Sequence, residues 1–218
     1  MNNIVLPFLA ASLALSFSQA ATASTIIYDN GAATQNDTNA FLINDGNVVS
    51  DSFTLTNAST FTGVNFWVWN APGETTSQID WSLSSGPFSG TSYGSGTANL
   101  TSLNEFTNQF GYDVNEYNFS TGSVNLIKGT YYLNLQNAVV TNGDPAYWSE
   151  NDGASAAFAT GIGSLANFSS PGSTGSEAFQ IQGSVVPEPS GLILLTMGSL
   201  FVGLCTFRKR QSMTLSRL

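Results

Sequence analysis

The chain has 218 residues, with 14 acidic residues, five basic residues and no histidine, and its formal net charge is −9. This negative charge repels nucleic acid phosphates, so the composition argues against nucleic acid binding. The lack of histidine excludes Ser-His-Asp and Cys-His catalytic sets and all histidine metal ligands.

The first 23 residues have the features of a secretory signal peptide. An apolar stretch, Ile4–Phe17, precedes residues 21–23, which place alanine at the −3 and −1 positions of a cleavage site. We predict export through the Sec translocon and cleavage by signal peptidase after Ala23, with cleavage after Ala20 as an alternative. Residues 1–3 contain no Lys or Arg, so an uncleaved anchor is a further alternative.

Residues 24–185 are predicted to form one folded domain, which we call the body. Of the 14 acidic residues only Glu188 lies outside it, and Lys128 is its single base, so its formal charge is −12. The body has no cysteine, because Cys205 lies nearer the C-terminus. An exported domain without disulfides is held by its core alone, and about 160 residues supply such a core.

Apolar and polar residues alternate in several short runs of the body, the pattern of half-buried strands. We predict a hairpin at Lys128-Gly129 and either an edge strand or a loop at Thr91–Thr97. Clusters of Asn, Asp and Gly separate the runs, so we predict an all-β fold, an antiparallel β-sandwich of jelly-roll type. The predicted strand runs are Asp51–Thr56, Val64–Trp69, Ile79–Leu83, Val124–Leu126, Tyr131–Leu135 and Phe179–Ile181.

Four aromatic residues of the body are candidates for binding a glycan, because flat rings stack on sugars. Trp67 and Trp69 occupy the second face of a strand whose first face is already apolar, and Tyr147-Trp148 stand beside an acidic turn. We expect these four to be the more exposed aromatics. The alternative is that they belong to the core, as we expect for Trp81 between Ile79 and Leu83.

Asp144, Glu150 and Asp152 are weak candidates for a Ca²⁺ site, since they offer carboxylate oxygens in or beside turns. Their spacing matches no known calcium loop, and Asp in a turn more often closes that turn. We therefore predict no metal and no other cofactor. Without histidine or a thiol in the body, the remaining catalytic option is a pair of carboxylates across a cleft, and no sequence context marks one. We predict a protein that is not an enzyme.

The C-terminal region has three consecutive parts. A Pro-containing motif occupies residues 186–190 (Val-Pro-Glu-Pro-Ser), an uncharged apolar run follows at residues 191–207, and a basic cluster follows at residues 208–210. As a helix the run would span about 26 Å, enough for a transmembrane segment. The basic cluster predicts that residues 208–218, including the tail 211–218, stay in the cytoplasm while the body lies across the membrane. An ordinary single-pass anchor has the same features.

The order and spacing of these parts resemble the PEP-CTERM sorting signal of exported proteins of Gram-negative bacteria. The matching residues are Pro187, Glu188 and Pro189 with Arg208, Lys209 and Arg210. The resemblance implies recognition by exosortase, an integral-membrane processing enzyme. It also implies a host that makes extracellular polysaccharide and a role in biofilm or matrix.

The resemblance and the predicted segments together predict how the protein is exported and where it is located. The protein would cross the inner membrane, be held transiently by its C-terminal helix, and then reach the cell surface or the medium. Its expected role is that of a non-enzymatic envelope or matrix protein associated with exopolysaccharide, and the alternative is a glycan-binding surface domain.

Overall fold

The computed structural model describes residues 25–160 and 175–187, and these ranges are all-β, without a helix. They form two antiparallel sheets, as predicted. In chain order the strands are β1 (Thr25–Asp29), β2 (Ala40–Leu42), β3 (Val48–Leu55), β4 (Ser59–Asn70), β5 (Thr76–Gly86), β6 (Ser89–Asn99), β7 (Thr101–Thr107), β8 (Asp113–Leu126), β9 (Gly129–Val140), β10 (Tyr147–Asn151), β11 (Ala157–Thr160), β12 (Ser176–Glu177) and β13 (Phe179–Val185).

The larger sheet is built around the long strand β4. One edge of β4 pairs with β8, which in turn pairs with β7. The other edge pairs first with β13 and further along with β10. Strand β1 pairs with β13, while β2 and β12 pair with β10. The smaller sheet has the order β11-β3-β9-β5-β6.

The core lies between the sheets, because the inward rows of both are apolar. Val64, Phe66 and Val68 alternate along β4 and are fully buried. Aromatic rings join the two layers: the Phe53 and Phe179 ring centroids are 6.4 Å apart. Trp81 is buried against Phe119, so the prediction that it belongs to the core is confirmed.

The predicted hairpin at Lys128-Gly129 is wrong. The strands on its two sides exist, but β8 pairs with β4 and β7, whereas β9 pairs with β3 and β5. The turn therefore carries the chain from one sheet to the other. Leu126 and Tyr131 are both buried in the shared core. The apolar rows of β8 and β9 therefore face each other across the sandwich and are not neighbours within one sheet.

Thr91–Thr97 lies within β6, at the edge of the smaller sheet, so the edge-strand alternative holds. Its glycines are placed under the indole of Trp81. A β-carbon at Gly94 would lie 3.4 Å from Trp81 Cη2, and one at Gly96 would lie 3.3 Å from Trp81 Nε1. The ring thus covers the backbone at Gly94 and Gly96, which have no side chains on that face of β6.

Both ends of the described body meet at one end of the sandwich, which we call the terminal end. Thr25 pairs with Gly183, and Val185 pairs with Ser59, which also pairs with Leu126. The opposite end, where β4 reaches Asn70, is the distal end. No helix in the ranges 25–160 and 175–187 has the length and apolar character needed to cross a membrane. The predicted signal peptide and residues 188–218 lie outside those ranges.

Candidate functional site

A polar cavity of about 380 Å³ opens where the segment before β2 meets the end of β10. We call it the distal cavity, because Trp148 pairs with Val68 and Glu150 is therefore level with Phe66, nearer to the distal end of β4 than to its terminal end. Every side chain that lines it carries a hydroxyl, an amide or a carboxylate: Thr34, Asn36, Asp37, Thr38, Asn39, Glu150, Asn151 and Asp152. The described residues contain one base, Lys128, and it lies at the terminal end, so the cavity is negative.

Local hydrogen bonds hold the wall made by residues 34–39. Asp37 closes a turn, because its carboxylate accepts hydrogen bonds from the Thr34 N–H and from the Thr34 hydroxyl, each 2.6 Å long. The backbone of β10 continues the wall, since the Glu150 N–H donates to the Asn39 carbonyl at 3.1 Å. Asp37 is thus a cavity residue that the sequence reading did not identify, because an Asp in a polar loop more often closes a turn than marks a site.

Behind the distal cavity, carboxylates enter the space between the sheets. Glu150 and Glu177 are opposite partners in the β10–β12 pair, so their side chains share one face. Asp51 lies on the inward row of β3, between Val49 and Phe53, and is fully buried. Like-charged residues directly opposite each other destabilise a sheet unless protons or cations neutralise them.

The two buried acids differ in their hydrogen bonds. Asp51 accepts from the Glu177 N–H at 2.7 Å, from the Ser155 hydroxyl at 2.7 Å and from the Ser52 N–H at 2.6 Å. Glu177 has both carboxyl oxygens buried without a hydrogen-bond partner. A buried carboxylate without partners is costly, so Glu177 is stable here only as the neutral acid or beside a cation.

The electrostatics follow from this burial. Burial raises the pKa of Asp51 to about 7, against the lowering effect of its three hydrogen bonds. Burial raises the pKa of Glu177 well above its usual range, and the nearby Asp51 and Glu150 carboxylates raise it further. Burial also raises the pKa of Glu150; a hydrogen bond from Asn39 lowers it, and Asp152 and Asp37 add to the rise.

The four aromatic residues proposed for sugar stacking are buried, which corrects the expectation that they are exposed. Trp67 is 3 % exposed, Trp69 1 %, Tyr147 8 % and Trp148 0 %. None of them therefore presents a free ring face to a sugar. The core alternative holds for all four.

The four rings lie in two separate apolar clusters. Trp148 points into the main core against Phe179 and donates through Nε1 to the Ala178 carbonyl at 2.9 Å. The other three lie on the outer face of the larger sheet, in a second apolar cluster. There Trp67 Nε1 donates to Glu105 Oε2 and Trp69 Nε1 to Ser149 Oγ, each at 2.9 Å. Alternation revealed two apolar faces, but not which strands and loops cover the second one.

The weak calcium candidates are only partly brought together. Glu150 and Asp152 both line the distal cavity, whereas Asp144 follows β9, where its backbone carbonyl accepts a hydrogen bond from Asn44. In the part of the chain that the structure describes, no group of three or more Asp, Glu, His or Cys side chains is arranged to hold a metal ion.

Of the predicted sorting residues, the structure describes Pro187 alone. Strand β13 ends at Val185, the Val186 N–H donates to the Ala58 carbonyl at 2.8 Å, and Pro187 is exposed. Glu188, Pro189, Arg208, Lys209 and Arg210 lie outside the described residues. The motif therefore begins where the folded body ends.

The distal cavity combines three carboxylates, three amides and two hydroxyls without a base. Such a lining suits neutral polyhydroxyl compounds and cations, and it disfavours anions. No protein-family model matches the chain, and no curated protein matches it.

Proposed function

We propose that the chain is an exported, non-enzymatic surface protein that exosortase sorts through a PEP-CTERM signal. Its body would be a jelly-roll-like sandwich, and its role would lie in the envelope or in a polysaccharide-rich matrix. The supporting observation is the position of the motif: the body is complete at Val185, and Pro187 follows directly in an exposed segment. A membrane enzyme needs its recognition sequence outside the folded domain.

The test is the intact mass of the protein recovered from its native host, with and without exosortase. We expect loss of residues 1–23 in both hosts and a second cut near residues 187–189 only where exosortase is present. Mass in excess of the trimmed chain would identify an attached group. A chain that keeps residues 191–207 in both hosts would contradict the proposal and leave a plain membrane-anchored β domain.

The distal cavity favours glycan binding as a second candidate function. Binding there would use hydrogen bonds from carboxylates, amides and hydroxyls to sugar hydroxyls, without the stacking expected from the four buried aromatics. Matrix polysaccharide would be the source of such a ligand. The same lining supplies the two carboxylates that a glycosidase requires, so binding and hydrolysis have to be distinguished.

Titration with oligosaccharides from the host matrix tests this candidate. Asp152→Asn removes an exposed carboxylate from the cavity, and Asp80→Asn removes a carboxylate on β5 as the matched control. We expect weaker binding for the first variant alone. Equal binding by both variants would contradict a glycan site at the cavity, and the release of reducing ends would make the protein a hydrolase.

A further inference from the structure

Exposed apolar side chains gather at the terminal end of the sandwich. Ile127 is 76 % exposed in the turn after β8, and Val185 and Val186 are 50 % and 44 % exposed where β13 ends. Strands β8 and β13 flank β4 at this level, through the pairs Leu126–Ser59 and Val185–Ser59. Neighbouring strands are about 4.8 Å apart, so these side chains lie within about 10 Å laterally.

Charge is also distributed unevenly between the two ends. Lys128, the single base of the described residues, is exposed beside Ile127. The nearest acids along the paired strands are Asp51, four residues before the end of β3, and Asp29, which pairs with Gln180. At about 3.3 Å per residue, the body's carboxylates begin about 13 Å from this end. We call Ile127, Lys128, Val185 and Val186 the terminal patch.

The chain outside the described body limits how far the terminal patch can be from a bilayer. Only residues 187–190 separate Val186 from the apolar run 191–207. Four extended residues span at most about 14 Å, so an anchored chain would keep this end within about 14 Å of the hydrocarbon core, close enough to reach the headgroups. Apolar side chains flanked by a lysine suit that depth, because the lysine reaches lipid phosphates while its neighbours contact the acyl boundary.

We propose that the terminal patch docks on the phospholipid surface while the precursor is anchored, which holds the distal cavity away from the membrane. The proposal rests on the membrane anchor of the proposed function. Its partner is the bilayer: phosphate oxygens for Lys128 and the acyl boundary for Ile127, Val185 and Val186. The acidic remainder of the body is repelled by anionic lipid, so one orientation is favoured.

The test uses the signal-processed chain, residues 24–218, with Cys205→Ser, in phosphatidylcholine vesicles that contain phosphatidylglycerol. An environment-sensitive thiol probe is attached at Ile127→Cys or, as the matched control, at Val139→Cys. Val139 is 46 % exposed and lies ten residues along β9 from Gly129, toward the distal end. We expect lipids with a headgroup-level quencher to quench the probe at position 127 at least twofold and to leave the probe at position 139 unchanged.

Lys128→Glu tests the electrostatic part of the docking. One lysine near an anionic surface favours contact roughly fivefold, and its replacement by a carboxylate also adds repulsion, so this variant should lower the quenching at position 127 toward the level at position 139. Chains that float with the vesicles but quench equally at positions 127 and 139 would overturn the docking while leaving the anchor intact. Chains that fail to float with the vesicles would overturn the anchor, and the docking with it.

Discussion

Glu177 occupies a fully buried position on the edge strand β12, and neither of its carboxyl oxygens has a hydrogen-bond partner. The charged groups nearest to it are also acidic: Asp51 from β3 and Glu150 from β10. Lys128, the one base of the described ranges, lies at the terminal end of the sandwich, away from this cluster. The folded state therefore favours the protonated form of Glu177.

This burial predicts a fold that loses stability as the pH rises. The unfolded chain releases the Asp51 and Glu177 protons near their ordinary pKa values of 3.8 and 4.5, whereas burial raises the folded-state pKa of Asp51 to about 7 and that of Glu177 well above its usual range. Because both folded-state pKa values are raised, the stabilisation is complete below about pH 4 and declines above it. The measurement is Tm from pH 4 to pH 8.

Glu177→Gln should reduce the fall in Tm between pH 5 and pH 8 by several degrees, since about 1 kcal/mol corresponds to about 2–4 °C in a domain of this size. Asp45→Asn is the control, because it removes one exposed charge and should leave the fall intact. A flat profile in the unsubstituted protein would contradict the expectation. A different outcome is that added calcium restores Tm at pH 8 in the unsubstituted protein and not in Glu177→Gln. That result would show that a bound cation, rather than a proton, neutralises Glu177.

At the scale of elements, β6 shows how an edge strand that contains few apolar side chains is kept in place. It pairs with β5 alone, and the indole of Trp81 lies over Gly94 and Gly96. Glycine weakens a strand, and the ring compensates by covering the exposed backbone. A β-carbon at Gly96 would lie 3.3 Å from Trp81 Nε1, so a larger side chain there would press on the ring.

Gly96→Val should therefore destabilise the protein by about 1–3 kcal/mol, because the added methyl groups displace the Trp81 ring from its place in the core. Gly122→Val is the control, since a β-carbon at Gly122 in β8 meets no atom within 4 Å. Urea unfolding followed by tryptophan fluorescence measures both variants. Equal effects in the two would mean that the ring does not need this glycine.

The whole molecule depends on its last strand. β13 lies between β1 and β4, and its Phe179 and Ile181 are fully buried in the main core. The larger sheet is thus completed by residues that directly precede the predicted sorting motif, and β13 is the strand with which β1 pairs in the described residues.

A chain that ends after Pro187 should fold cooperatively, whereas one that ends after Ala178 should not, because it lacks β13 and leaves β1 without its partner. Thermal unfolding followed by circular dichroism distinguishes the two. A cooperative transition in the shorter chain would show that β13 is dispensable. Equal loss of the transition in both would show that residues beyond Pro187 contribute to the fold.

The sequence reading was accurate where a property is local to one strand. The alternation in Val64–Trp69, Ile79–Leu83 and Phe179–Ile181 gave strands at those places, and it indicated two apolar faces on β4. It failed at Lys128-Gly129, because a turn between apolar strands looks the same whether the strands pair or cross to the opposite sheet.

The all-β class, the charge of the body and the order of the C-terminal motif can be predicted from the sequence, because each depends on residue type and spacing along the chain. Strand order and packing were needed to show which aromatics are buried, which carboxylates meet behind the distal cavity and which residues share the terminal patch. Asp51 and Glu177 are 126 positions apart, and Ile127 and Val185 are 58 apart. Contacts over such separations arise from strand order, which no local pattern specifies.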